Sequence, residues 1–310
     1  PMRLPRVLTP PSPTSCGDLR FDGLFGGALE PLPDTWSTVT LHPRPSPPPP
    51  MEAITLMSWN LLAPPYVRSG EADWRARAAR QLDEVAAAAP DVLCLQEFWH
   101  KSAEHTAMWE NFARAHAYHL LVSPRPGGKE DGCAMLLRGD AADVRVSALH
   151  FGDWGNRVVQ VAEFGPTGRR LVLLNSHLTF PHASAHDRPM RFHQGRKLGE
   201  YARGLRTPCV VVGDLNGDED DAAVGVLRAR GGLTPMPPPL SGGGTNGWVS
   251  HVSHRGDEMA CDHVLAGDGV SVAAVRLGGS AEGLRAAERI SDHRPVHARL
   301  EWGRPAEHEK

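Results

Sequence analysis

The run CVVVGDLNGD, residues 209–218, sets three valines in an apolar segment and then turns polar at Asp214 and Asn216. β-Branched residues favour extended chain, and a short apolar run bounded by Gly and Asp fits a strand buried on both faces. Asp and Asn are also ordinary turn formers, so this run alone reads equally well as a plain strand-ending turn. The pattern recurs along the chain. AITLMSWN (53–60) ends in Asn60, DVLCLQE (91–97) in Glu97, and LVLLNSH (171–177) in His177. MACDH (259–263) carries Asp262, and SDHRPV (291–296) sets Asp292 and His293 just before the alternating VHARLEW (296–302). Layered folds gather their sites at strand ends, so these ends ask for one common explanation.

Amphipathic segments lie between the strands. The stretch 72–89 places Trp74, Leu82, Val85 and Ala89 on one helical face and stops at Pro90. Further helices are expected over 103–117, 188–205 and 220–231, and further strands over 118–122, 132–138 and 156–164. Strands interleaved with amphipathic helices predict an α/β (α+β) layered fold. Residues 1–50 are Pro-rich, end in RPSPPPP and show no apolar period, so they read as an extended or disordered lead-in that can also serve as a ligand for a Pro-binding partner. The expected division is 1–50 lead-in, 51–303 catalytic domain and 304–310 tail. The Gly/Pro-rich stretch 235–247 is expected to be a surface loop.

The chain has 310 residues, 41% of them hydrophobic, which suffices for one large core. Its 33 basic and 36 acidic residues leave a net charge of −3, so a nucleic-acid contact has to come from a local patch. No apolar run reaches membrane-spanning length. The five cysteines show no CxxC spacing, and four sit in apolar strand-like contexts, as buried thiols of a reducing compartment do. These features predict a soluble intracellular protein of cytoplasm or nucleus; a chain that starts at Pro1 leaves organelle targeting open.

The polar strand ends form a parts list for metal-assisted phosphoester hydrolysis. Asn60, Glu97 and Asp292 are the candidate metal set, and hard oxygen ligands suit Mg²⁺, with Mn²⁺ able to substitute. Asp214 is placed to orient or deprotonate a water. Asn216 and His177, and Asn60 as well, suit hydrogen bonds to phosphate oxygens. A cationic His293 suits the charge that builds on phosphorus, with Asp262 holding its tautomer. Trp248, His251 and His254 in WVSHVSHRG are candidates for a substrate wall, with Trp248 as a base-stacking group. Arg188 and Arg191 are candidate phosphate contacts in a locally basic segment that also holds Arg196 and Lys197; a solvated helix face is the plainer reading.

SWNLLAP, DVLCLQEFW, DGCAMLLR, NSHLTFPH, GDLNGD, CDHVL and SDHRPV, in that order over about residues 52–302, resemble the endonuclease/exonuclease/phosphatase superfamily, which includes DNase I, apurinic endonucleases, neutral sphingomyelinases and deadenylases. The resemblance implies a DNase I-like four-layer sandwich of two mixed sheets flanked by helices. It implies that Glu97 binds Mg²⁺, that Asp214 positions the attacking water, and that His293, supported by Asp262, contacts the scissile phosphate. Leu62, two positions after Asn60, looks like the deadenylase branch, and NLLAPPYVR and WVSHVSHRG look like plant-type members that carry a calcium-binding extension. DLNGDEDDAAVG is not itself an EF-hand loop: its sixth residue is Glu219 rather than Gly, and its twelfth is Gly225 rather than Glu. The expected function is a Mg²⁺-dependent phosphodiesterase acting on single-stranded RNA or a nucleotide-like substrate. A sphingomyelinase-like lipid enzyme and an inactive scaffold using its Pro-rich segment are the alternatives.

Overall fold

A period of two sends successive side chains of each strand into different cores, and that alternation builds the molecule. The structure is a computed structural model. It describes residues 37–38, 53–67, 73–139, 143–166, 169–182, 184–236, 248–286 and 289–302, all within the unit Thr35–Lys310. In chain order the elements are β1 (Ser37–Thr38), β2 (Ala53–Asn60), α1 (Trp74–Ala88), β3 (Val92–Phe98), α2 (Ala103–Ala115), β4 (Tyr118–Pro124), β5 (Gly132–Arg138), β6 (Arg145–His150), β7 (Val158–Phe164) and β8 (Leu171–His177). They continue with α3 (Asp187–Gly204), β9 (Cys209–Asp214), α4 (Ala222–Gly231), β10 (Thr234–Pro235), β11 (His251–Val252), β12 (Glu258–Met259), β13 (Asp262–Ala266), β14 (Val270–Leu277) and β15 (Val296–Trp302).

The strands form a seven-stranded sheet in the order β1-β6-β7-β8-β9-β13-β10 and a six-stranded sheet in the order β14-β15-β2-β3-β5-β4. Both are mixed, with parallel pairs β8–β9 and β2–β3 among antiparallel neighbours. Leu56, Cys94, Met135, Leu173, Val210, Val212 and Val264 meet between the two sheets. Their neighbours in sequence point the other way. Val172, Leu174 and Val211 pack against Leu198 and Tyr201 of α3 and Val224 and Leu227 of α4. Met57, Leu93, Leu95 and Leu136 pack against Val85 of α1 and Trp109 and Phe112 of α2. The layers therefore run helix, sheet, sheet, helix, as the family resemblance implies.

Side chains cap the starts of α1, α2 and α4, whereas α3 begins after His186 with no side-chain cap. Asp73 accepts from Ala76 N, Ser102 from His105 N, and Asp221 from Ala223 N and Val224 N, each occupying an orphan donor of a first turn. α1 ends with Ala89 in the left-handed conformation ahead of Pro90. The sequence reading does not anticipate β6 or β14. β6 is buried at a single position and β14 roughly alternates between more and less buried positions, so neither shows the continuous apolar run of the central strands. Most of the Pro-rich segment and residues 237–247 lie outside the described residues, except that Ser37–Thr38 pairs antiparallel with Arg145 and Val146. Cys94, Cys133, Cys209 and Cys261 are free and buried, while Cys16 lies outside the described residues.

Candidate active site

Register brings the polar strand ends together. His177 stands opposite Asp214 across the parallel pair β8–β9, and Asp262 stands opposite Asp214 across β9–β13. In the other sheet Asn60 stands opposite Gln96, one residue short of Glu97. The two rows face each other, and Asn60 spans the gap: its Nδ2 donates to Asp214 Oδ2 at 3.0 Å and to Glu97 Oε1 at 3.3 Å. The loop before β15 closes the group from below. Ser291 Oγ donates to Asn60 O at 2.6 Å and accepts from His293 N, while Trp59 Nε1 donates to His293 O at 2.9 Å.

Local strain aims Glu97. The β3–β5 ladder is irregular between Leu95 and Phe98, and Glu97 adopts φ 54°, a left-handed conformation that non-glycine residues rarely take. Such conformations cost about 1–3 kcal/mol and cluster at functional sites. Asn216 (φ 53°) and Leu62 (φ 55°) share the feature. Gly213 (φ 132°) is required where β9 passes β8, because a Cβ there would meet Ser176 O at 2.0 Å.

His293 Nδ1 lies 2.9 Å from Asp262 Oδ2, and its Nε2 lies 3.6 Å from Asp214 Oδ2. Burial alone lowers its basicity, but the Asp262, Asp214 and Asp292 carboxylates outweigh burial and raise its pKa to about 10. The ring is therefore a cation at neutral pH. His177 is the opposite case. Burial, then the Arg157 and Arg125 guanidinium groups, hold its pKa well below the usual imidazole value. Arg157 Nη1 lies 2.9 Å from His177 Nδ1, and a guanidinium can only donate, so His177 carries its proton on Nε2, 3.4 Å from Asp214 Oδ2. For Glu97, burial of the carboxylate, then Asp292 and Asp131, push the pKa up to about 7, while Ala63 N donates to Oε2 at 2.9 Å.

That crowding supplies the test of metal fit. Glu97 and Asp292 are hard oxygen donors whose proximity raises the proton affinity of Glu97, and a divalent cation would offset the same repulsion. Two further groupings converge nearby: Asp214, Cys261 and His293, and His251, Asp292 and His293 each bring ligand atoms within 4.8 Å of one another. Asn60 does not fit the metal role read from sequence. Leu62 N donates to its Oδ1 at 3.0 Å, so the amide nitrogen faces the carboxylates, and an amide nitrogen does not ligate a cation. Asn60 is instead a hydrogen-bond bridge.

Other sequence-predicted residues divide. Asn216 is in the site: its backbone N donates to Asp214 Oδ1 at 2.9 Å, and its Nδ2 donates to Leu178 O at 2.9 Å. His251 is buried, stacks on His293 with ring centroids 4.0 Å apart, and its Nδ1 lies 2.9 Å from Asp292 O. His254 is exposed at the rim, 6.3 Å from the Phe180 ring. Arg188 is exposed in the first turn of α3. Two assignments are corrected. Trp248 is half-buried against the core between the sheets with its Nε1 buried, which gives it a packing role that the sequence reading does not anticipate. Arg191 is buried and donates to Thr179 O, Leu215 O and Asp221 Oδ1, so its donors hold loops rather than phosphates.

Sequence reasoning missed a cationic flank. Arg157 borders His177, and Arg125 is paired with Asp131 at 2.9 Å, where Tyr66 Oη also donates to Asp131 at 2.6 Å. Arg157 precedes β7 and Asp131 precedes β5, both of which run antiparallel to neighbours that end at the site. The start of an antiparallel strand shares an edge with its neighbour's end, so inspecting strand starts as well as strand ends would have found both residues.

Comparison with known proteins agrees with this fold. A model of the Endonuclease/Exonuclease/phosphatase family matches residues 57–293. Human Nocturnin is 25% identical over 193 residues, 53% of this chain; the chain spans 43% of that protein's length. The crystal structure of ANGEL2, titled a 2′,3′-cyclic phosphatase, superposes with a TM-score of 0.64 at 16% identity, covering 81% of this chain and 96% of that one. D. rerio TDP2, solved with a single-strand DNA product, gives 0.59 at 18% identity over 81% of this chain and all of that chain, 100%. With two mixed sheets between helix layers, polar ends converging on Asp214 and a family match from β2 to His293, the chain belongs to the endonuclease/exonuclease/phosphatase family.

Proposed function

We propose that the protein is a Mg²⁺- or Mn²⁺-dependent phosphodiesterase acting on single-stranded RNA or a nucleotide-like substrate. The observation that carries this reading is the meeting of Asp214 with a cationic, Asp262-supported His293 and a neutral, Arg157-supported His177. Glu97 and Asp292 would hold the divalent ion, which when bound supplies Lewis-acid polarisation of a phosphoryl oxygen. Asp214, oriented by Asn60 Nδ2 and Asn216 N, accepts the proton of the attacking water. His293 offers its Nε2–H, and with it positive charge, to a non-bridging oxygen as negative charge accumulates there. His177 offers a second N–H without a charge. Buried donors fixed before the reaction need no reorganisation during it, which is where their value lies.

The nucleotide part of the reading draws on ANGEL2 and TDP2, whose structures are described with a cyclic nucleotide phosphate activity and a single-strand DNA product. No helix among the described residues is long and apolar enough to cross a membrane. The test is a panel assayed with Mg²⁺ and again in EDTA: oligo(A), mixed-sequence RNA, single-stranded DNA, a nucleotide 2′-phosphate and sphingomyelin micelles. The expected result is metal-dependent cleavage of the single-stranded nucleic acids. Turnover of sphingomyelin with every nucleic acid untouched would overturn the substrate assignment, and full activity in EDTA the metal assignment.

A further inference from the structure

Trp154 is 81% exposed, far more than Tyr66 or Phe192, the other exposed large hydrophobics among the described residues. Leaving an indole in water forgoes its burial, and a floppy loop would let it collapse onto the surface. This loop is held at several points. Gln194 Nε2 donates to Asp153 Oδ2 at 2.8 Å, and Arg125 donates to Gly155 O at 2.8 Å and to Asn156 O at 3.1 Å. Gly155 lies flat on the segment after His177, where a Cβ would meet Thr179 Oγ1 at 2.4 Å. Asn156 (φ 50°) then turns the chain into Arg157, the residue that contacts His177.

Trp154 lies three positions before Arg157, so their Cα atoms lie at most ~11 Å apart. That is about the spacing of a base from a phosphate on its own or an adjoining nucleotide. Among the described residues the ring makes one aromatic contact, edge-to-face with His186 at 6.0 Å. Phe180, packed edge-on to His182 at 5.1 Å, continues the rim towards His254. The pinned loop thus presents a flat aromatic surface beside the cationic flank of the site.

We infer that Trp154 is a base-stacking platform, and so a specificity-determining residue that selects substrates carrying a nucleobase next to the phosphate that Asp214, His177 and His293 surround. It rests on the reading of that site as a phosphoesterase centre and names what the substrate must carry. Stacking on an aromatic side chain tolerates any base, which fits selection for nucleotides without selection for sequence. The role read from sequence for Trp248 thus falls to the far more exposed Trp154.

The test uses the full chain with Mg²⁺ and compares binding of adenosine 5′-monophosphate and ribose 5-phosphate by calorimetry. Wild type is expected to bind the nucleotide about tenfold more tightly than the sugar phosphate, Trp154→Ala to erase that difference, and Trp154→Phe to keep most of it. On oligo(A), Trp154→Ala is expected to raise KM about tenfold and to leave kcat within about twofold. A wild type that does not discriminate the two ligands, or a Trp154→Ala variant that still does, would overturn the platform. If discrimination depends on Trp154 while no phosphodiester is cleaved, the platform stands and the phosphodiesterase reading falls. If oligo(A) is cleaved and discrimination is absent, that reading stands and the platform falls.

Discussion

The catalytic assignment depends most on Asp214, which accepts hydrogen bonds from Asn60 Nδ2 and Asn216 N and lies within 3.6 Å of both His177 Nε2 and His293 Nε2. Asp214→Ala is expected to lower kcat on an RNA oligomer by ~10³-fold with KM little changed and the far-ultraviolet circular dichroism intact. Near wild-type turnover in that variant would show that another group activates the water. Glu97 gives a pH-dependent readout. Its pKa rises from about 4.5 to about 7 on folding, so the stability contributed by its proton is full below about 4.5 and is lost as pH rises through about 7. A divalent ion competes with that proton. Mg²⁺ is therefore expected to raise Tm more at about pH 8 than at about pH 5, and Glu97→Gln to remove most of the difference. An equal Mg²⁺ shift at both pH values would place the ion elsewhere.

At the scale of elements, Arg191 joins three loops. From the buried face of α3 it reaches Thr179 O after β8, Leu215 O after β9 and the α4 N-cap Asp221, at 2.6, 3.1 and 2.8 Å. Removing one partner of a buried charged network leaves the rest desolvated and unpaired. Arg191→Met is expected to lower stability by about 3–5 kcal/mol in urea unfolding. It is also expected to lower kcat, because the loops it ties carry Asn216 and follow His177 directly. A loss of activity that moves KM alone would instead favour the substrate contact expected from sequence. α1, α2, α3 and α4 were each legible, since amphipathic spacing and Asp, Ser or Pro punctuation mark them locally. β6 and β14 were not, because half-exposed strands carry a weak apolar signal.

Across the whole molecule, a buried polar belt joins the two sheets beneath the site. Asn175 of β8 donates to Leu95 O and Ala134 O at 3.0 Å each, and its Oδ1 accepts from Gln96 Nε2 at 2.8 Å. Gln160 Nε2 donates to Leu121 O at 2.9 Å. These bonds fix one sheet against the other where apolar contacts alone would tolerate sliding. Asn175→Ala orphans several buried groups at once, each costing about 1–3 kcal/mol. It is expected to lower the urea midpoint substantially and to reduce kcat at temperatures where the fold persists, since Asn60 must still reach Asp214 across the gap. A variant with unchanged midpoint would show that the apolar core alone sets the sheet spacing.

The sequence by itself determined the α/β class and the residues that end the strands, because alternation and turn chemistry are local properties of neighbouring residues, and its motifs carried the family resemblance that implied the four layers. Asn60, Glu97, His177, Asp214, Asp262, Asp292 and His293 were all visible as interruptions of apolar runs. Only the tertiary structure decided what each of them touches. Asn60 became a bridge because register faces it across the sheets to Asp214; Arg157 and Asp131 joined the site because antiparallel strands begin where their neighbours end. Trp248 packs half-buried against the core and Trp154 stays outside, although composition treats the two alike. The physical reason is the same throughout: a side chain's burial and partners are set by segments far away in sequence, and those distances close only when the sheets pack.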